Sequence, residues 1–192
     1  MDPIEGLAAL FGIISVYLGT RQNVWIWPTG IVNVGLYIIV FFQARLYAEM
    51  GLQVVYLLLS IYGWYVWLYG GAQHTVLRVT RSTPRLLLAL LVVNVAAWLT
   101  LGTLLDRHTQ AMLPWLDSLL ATTSLVAQWM MTRKLLESWL VWIAVDTVYV
   151  PMFVSQELYV TAILYAIFFV LAGVGYRDWR SSWRANPELE PA

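Results

Sequence analysis

The chain has 192 residues, 60% of them hydrophobic and only 11% charged, with zero formal net charge, against roughly 25% charged residues in soluble domains. Cysteine is absent, which excludes disulfides, thiol chemistry and Cys-ligated metals, and His74 and His108 alone cannot build a histidine-rich metal or haem site. No basic run is long enough to suggest a nucleic-acid partner.

Residues 22–44, 50–77, 86–105 and 158–176 carry no Asp, Glu, Lys or Arg, and a bilayer core takes about 20 apolar residues per helix. The expected class is an all-α polytopic membrane protein with seven transmembrane helices. The first, about 4–20, follows "MDPIEGLAAL", which lacks the basic start of a cleavable signal peptide and reads as a retained helix. The second, 23–43, holds Pro28, Gly30 and Asn33; the third, 47–70, holds Gln53 and the aromatic run "SIYGWYVW" with Tyr62, Trp64 and Trp67. A longer connection follows, with Arg78 and Arg81, and then a fourth helix, 83–105, whose Asn94 reads as a helix–helix hydrogen bond. The fifth, 115–132, opens after Pro114 with Asp117, either an N-terminal cap or a functional acid, and carries Gln128. The sixth, 136–155, contains "WLVWIAVDTVYVP", and the seventh spans 158–176 before a polar tail, "SSWRANPELEPA", that reads as a frayed cytoplasmic end.

Seven spans sort the basic residues nine against two. Arg21, Arg78, Arg81, Arg85, Arg133, Lys134, Arg177, Arg180 and Arg184 share one side; Arg45 and Arg107 share the other. Lys and Arg favour the cytoplasmic side, so the N-terminus is expected outside and the C-terminus inside.

An internal repeat runs at a constant offset of 112 residues, with 5–67 lying over 117–179. Thr20–Arg21 falls on Thr132–Arg133, Trp27 on Trp139, Tyr37 on Tyr149, Gly63 on Gly175 and Trp67 on Trp179. Each copy holds three helices, and the single helix between them restores the starting side, so the copies are expected to run parallel. Parallel repeats are a transporter signature, with the substrate site between them. The expected divisions are residues 1–70 for the first repeat, 71–114 for the linker with the fourth helix, 115–180 for the second repeat and 181–192 for the tail.

Trp139, Trp142 and Asp146 follow i, i+3, i+7 spacing and so share one helix face. The tryptophans fit an interfacial belt as well as a ligand wall. A carboxylate at that depth costs a few kcal/mol to insert and normally faces a cavity or a partner. No Lys or Arg lies at its level, so Asp146 is protonated, hydrogen-bonded to Asn33, Gln53 or Gln128, or facing a visiting cation. Aromatic faces with a carboxylate one turn away suit a flat, positively charged ring. In the first repeat Gly30 stands opposite Trp142 and Val34 opposite Asp146; Gly30 leaves room for a stacked ring or allows close helix packing. Gln53 and Gln128 suit ribose or amide recognition, and Tyr62, Trp64 and Tyr149 are further candidates for the cavity wall. Pro28 and Pro151 fall inside spans, where a missing backbone bond favours a hinge. No zinc-protease motif, phosphate loop or Ser/His/Asp set is present, so no enzyme, cofactor or metal site is expected.

Over residues 5–180 the chain resembles the PnuC family of bacterial nicotinamide riboside transporters. The likeness rests on "GIVNVGLYIIVFFQARLYAEMGLQVVY", "SIYGWYVW" and "LDSLLATTSLVAQWMMTRKLLESWLVWIAVD", in which W-x-x-W-x-x-x-N/D matches Trp139, Trp142 and Asp146. The resemblance implies a SWEET-like 3+1+3 fold in the bacterial inner membrane. It also implies uptake of the riboside by facilitated diffusion, with trapping by a cytoplasmic riboside kinase. Where the nicotinamide riboside members carry Asn, position 146 is Asp, which leaves thiamine, another flat cation, as the alternative cargo. A proton-coupled transporter would use Asp146 as its titrating group. The apolar outer faces suit lipid or a second copy equally, so a homo-oligomer stays open.

Overall fold

The computed structural model describes residues 3–43, 47–108 and 113–185, with the side chains of residues 47 and 48 outside the description. Its helices are α1 (Pro3–Thr20), α2 (Ile26–Gln43), α3 (Tyr47–Tyr69), α4 (Pro84–His108), α5 (Pro114–Thr132), α6 (Ser138–Ser155) and α7 (Tyr159–Arg184). Proline opens α1, α4 and α5, at a position whose N–H would have no intrahelical partner. Six of the seven are long and apolar enough to cross a membrane; α5, with Asp117, Ser118, Thr122, Thr123, Ser124 and Gln128, is not among them. The chain is a multi-pass membrane protein.

Three sequence expectations change here. Pro28 stands in the first turn of α2, where no intrahelical bond is lost, so it does not interrupt a helix; Pro151 does lie inside α6. The segment "SSWR" is not frayed, because α7 continues through Arg184; residues 186–192, like Arg45, lie outside the described residues. Asp117 sits in the first turn of α5 rather than at its cap, which is Leu113.

Contacts recur at the 112-residue offset. Helix α1 packs on α2 and α2 on α3; α5 packs on α6 and α6 on α7; the two sets meet through α1 with α7 and α3 with α5. The turns joining α1 to α2 and α5 to α6 each place a non-glycine residue in the left-handed region, Gln22 (φ 54°) and Lys134 (φ 50°). Trp27 meets Trp67 edge-on at 5.3 Å, and Trp139 meets Trp179 edge-on at 5.4 Å. Each of the first pair's counterparts is seated the same way: the indole of Trp27 lies against Gly63, and that of Trp139 against Gly175.

The centre of this lattice is a swap. Trp67 Nε1 donates to the Met131 carbonyl at 3.0 Å, and Trp179 Nε1 donates to the Gly19 carbonyl at 2.9 Å. Gly19 and Met131 both lie in the last turn of their helices, and each carbonyl also accepts a backbone N–H from the turn that follows, Gln22 at 3.0 Å and Lys134 at 3.1 Å. Each three-helix set therefore adds a second donor to a helix end of the other, and Trp67 and Trp179 touch at 5.8 Å between them.

Helix α4 packs chiefly on α5 and leaves most of its surface outside the bundle. Asn94 Nδ2 donates to Thr123 Oγ1 at 3.0 Å, the interhelical bond expected from sequence, and Trp98 Nε1 donates to the Trp115 carbonyl at 2.8 Å. The segment between α3 and α4 is tied to the α5–α6 turn. Thr80 N–H donates to the Lys134 carbonyl and Leu136 N–H to the Thr80 carbonyl, while Lys134 Nζ donates to the Leu77 carbonyl at 2.9 Å. Lys134 is only 3% exposed and stands 4.3 Å over the Trp67 ring; burial pulls its ammonium down to about 8. Glu137 accepts from Arg81 Nε at 3.0 Å and from the Ser82 N–H at 2.8 Å. Burial pushes the Glu137 carboxyl upward, but these donors outweigh it and hold the group below its usual range.

Two outcomes follow from these contacts. A Cβ on Gly175 would stand 2.6 Å from the Trp139 ring, whereas one on Gly173 meets nothing within 4 Å. Gly175→Ala should cost about 1–3 kcal/mol and lower the apparent melting temperature in detergent, and Gly173→Ala should leave it unchanged or raised. Because the folded pKa of Glu137 is depressed, its stabilisation is present above the ordinary carboxylate value and is lost as pH falls through the folded one. Glu137→Gln should therefore melt a few degrees below the parent protein at neutral pH, and the difference should close below about pH 4.

Candidate functional site

One cavity of about 500 Å³ lies between the two sets of helices, within the range of small-molecule sites. Its floor is the tryptophan lattice: Trp27 and Trp139 both line it, and both carry buried indole N–H groups without an acceptor. From that floor α6 carries Trp142 and Asp146 along the same face. Counted at 1.5 Å per residue, Asp146 stands about 10 Å above Trp139. Trp142 is half-buried against the cavity and Asp146 is 2% exposed.

Among the described residues no Lys, Arg or His pairs with Asp146. None of the three amides expected beside it donates to its carboxyl: Asn33 gives its Nδ2 to the Ala8 carbonyl at 2.7 Å, and Gln53 and Gln128 line the cavity without such a bond. The lining residues include no Lys, Arg or His at all, and their charged members are Glu5 and Asp146. By its lining residues the cavity is thus an acidic, aromatic chamber, a setting that favours a cation over a phosphate.

Of the residues singled out in the sequence, Trp139, Trp142, Asp146, Asn33, Gln53, Gln128 and Tyr149 come together on this cavity. Tyr62 and Trp64 do not. Both are exposed on the outer side of α3, where the Tyr62 hydroxyl accepts from Arg133 at 3.2 Å. Gly30 lines the cavity and also allows close packing, since a Cβ there would stand 3.2 Å from Ser15 Oγ. The structure adds Glu5, Tyr37, Phe41, Tyr56 and Tyr165 to the wall. Tyr37 could have been found by applying the offset of 112 to Tyr149. Among the described residues no three His, Asp or Glu gather as a metal site.

A multi-pass helical bundle with one ligand-sized chamber between two sets of three helices has the build of a membrane transporter. Residues 2–181 match the family described as "Nicotinamide mononucleotide transporter". The chain is 30% identical to the nicotinamide riboside transporter PnuC of Escherichia coli over 206 residues, which span 94% of this chain and 86% of that protein. It is 26% identical to the riboflavin/roseoflavin transporter RibM of Streptomyces davaonensis over 200 residues, 95% of this chain and 88% of that one. A crystal structure of the vitamin B3 transporter PnuC superposes with a TM-score of 0.76 at 22% identity, covering 95% of this chain and 82% of the other. The chain belongs to the PnuC family of membrane transporters.

The position of the two α6 and α3 rings separates wall from periphery. Trp142→Ala should weaken binding of a flat aromatic ligand in this chamber roughly tenfold or more, whereas Trp64→Ala should leave it within about twofold; titration calorimetry in detergent measures both.

Proposed function

We propose that this protein takes up nicotinamide riboside across a bacterial inner membrane as a uniporter, by facilitated diffusion. Cytoplasmic phosphorylation by a riboside kinase then retains the cargo. In this reading residues 1–70 and 115–180 are parallel three-helix units joined by a linker with α4 at 71–114, a SWEET-like arrangement. The N-terminus lies outside and the C-terminus in the cytoplasm, as the basic residues favour. Alternating access exposes the chamber to each side in turn, with Pro151 and Gly30 as candidate hinges.

The observation that carries the proposal is the buried, unpaired Asp146 one turn from Trp142, in a chamber without a basic side chain. A pyridinium ring stacked on Trp142 supplies the counter-charge the carboxylate lacks. Gln53 and Gln128 supply hydrogen bonds to ribose or carboxamide, as does the free Oδ1 face of Asn33. A 5′-phosphate would need Arg or Lys at that depth, so the riboside fits better than the mononucleotide named in the family's description. The carboxylate in place of the family's Asn equally suits thiamine, which is the second reading.

Titration with nicotinamide riboside, its mononucleotide and thiamine ranks the cargoes. The riboside should bind most tightly and the mononucleotide at least tenfold more weakly; equal or tighter mononucleotide binding would overturn the charge argument. Asp146→Asn should weaken binding of the cation by roughly tenfold, and uptake into proteoliposomes should not respond to an imposed proton gradient.

A further inference from the structure

A cation bound beside Asp146 has first to pass the mouth of the chamber, and there the same chemistry occurs twice. Glu5, in the first turn of α1, lines the chamber with Tyr37 and Phe41 of α2. Those two rings are nearly parallel, 5.7 Å apart. At the offset of 112, Asp117 stands in the first turn of α5, and Tyr149 and Phe153 of α6 stack at 5.4 Å. Asp117 shares with these two rings a groove that adjoins the chamber, since both rings line both. Each carboxylate thus shares a wall with its own stacked pair.

Acids in a first helical turn are ordinary dipole partners, which accounts for their placement on α1 and α5. It does not account for a stacked Tyr–Phe pair beside each of them, turned to the same chamber that holds the unpaired Asp146 deeper in. Neither Glu5 nor Asp117 forms an ion pair among the described residues. Gly19 and Trp139 are in contact at the floor. Measured from them at 1.5 Å per residue, Glu5 lies about 20 Å away and Asp146 about 10 Å. The carboxylates are therefore steps along one path, too far apart to serve one ring together.

We propose that Glu5 and Asp117, walled by the Tyr37–Phe41 and Tyr149–Phe153 pairs, form an outer subsite that captures a flat organic cation before it reaches Asp146. This rests on the cationic-cargo reading above. The outer subsite governs how often a cation enters, and Asp146 governs how long it stays.

Stopped-flow tryptophan fluorescence with nicotinamide riboside separates the two roles. In the full-length protein, Glu5→Gln combined with Asp117→Asn should lower the association rate about three- to tenfold at low ionic strength. The deficit should shrink as salt is raised, and the dissociation rate should not change. Glu5→Lys should lower association further, and Asp146→Asn should raise the dissociation rate. Wild-type association in the double variant, with Asp146→Asn still weakening binding, would overturn the outer subsite alone. Indifference of every variant to the cation would overturn it together with the cationic-cargo reading.

Discussion

Two hydrogen bonds hold the rest of the molecule in register: Trp67 to the Met131 carbonyl and Trp179 to the Gly19 carbonyl. Both acceptors are helix-end carbonyls that already take a backbone N–H from the following turn, so the group each bond rescues is the buried indole N–H, and an unsatisfied polar group in an apolar setting costs several kcal/mol. The donors come from the opposite set of helices, so satisfying each indole also joins the two sets. Everything around the bonds follows from making room for four indoles. Gly63 and Gly175 give Trp27 and Trp139 space, and Lys134 covers the outer face of Trp67. Arg81 and Glu137 then fasten the α3–α4 segment across the same end.

The lattice also explains why the chamber is asymmetric. Trp27 and Trp139 are equivalent and belong to the floor. One turn further in, the equivalence ends: Gly30 and Val34 face the chamber from α2, Trp142 and Asp146 from α6. A repeated scaffold holds the shape while α6 alone carries an indole and a carboxylate at this depth. At the mouth, where Glu5 matches Asp117 and Tyr37 matches Tyr149, the equivalence returns.

Much of this was legible in the sequence because bilayers constrain helices so strongly. Charge-free runs placed the helices, and the spacing of Trp139, Trp142 and Asp146 placed one wall of the chamber. The offset of 112 found the pairs that build the lattice. What escaped had physical causes. In α3 the polar groups of Gln53, Tyr56 and Ser60 follow i, i+3, i+7 spacing and mark the chamber face; the aromatic run "SIYGWYVW" hid that signal, and Tyr62 and Trp64 proved to be outside the chamber. Pro28 marks a break or a beginning depending on a boundary of two or three residues, and α2 begins late enough to make it a beginning. Asn33 looked free for Asp146, yet the nearest acceptor was a backbone carbonyl of a neighbouring helix. Glu5 and Asp117 read as helix-start acids, and only the folded chain brings each beside a stacked pair of rings.

The swapped tryptophans have a consequence for how such a chain can arise. Residue 67 of one set meets residue 131 of the other, and residue 179 meets residue 19; subtracting the offset makes these the same contact made twice. That is the rule of an isologous interface, in which one surface patch is its own complement. A lone three-helix unit would leave its own indole N–H without an acceptor, and a second copy would supply one. The single chain therefore keeps the contact pattern of a homodimer, with α4 as the tether that lets the two halves diverge without parting.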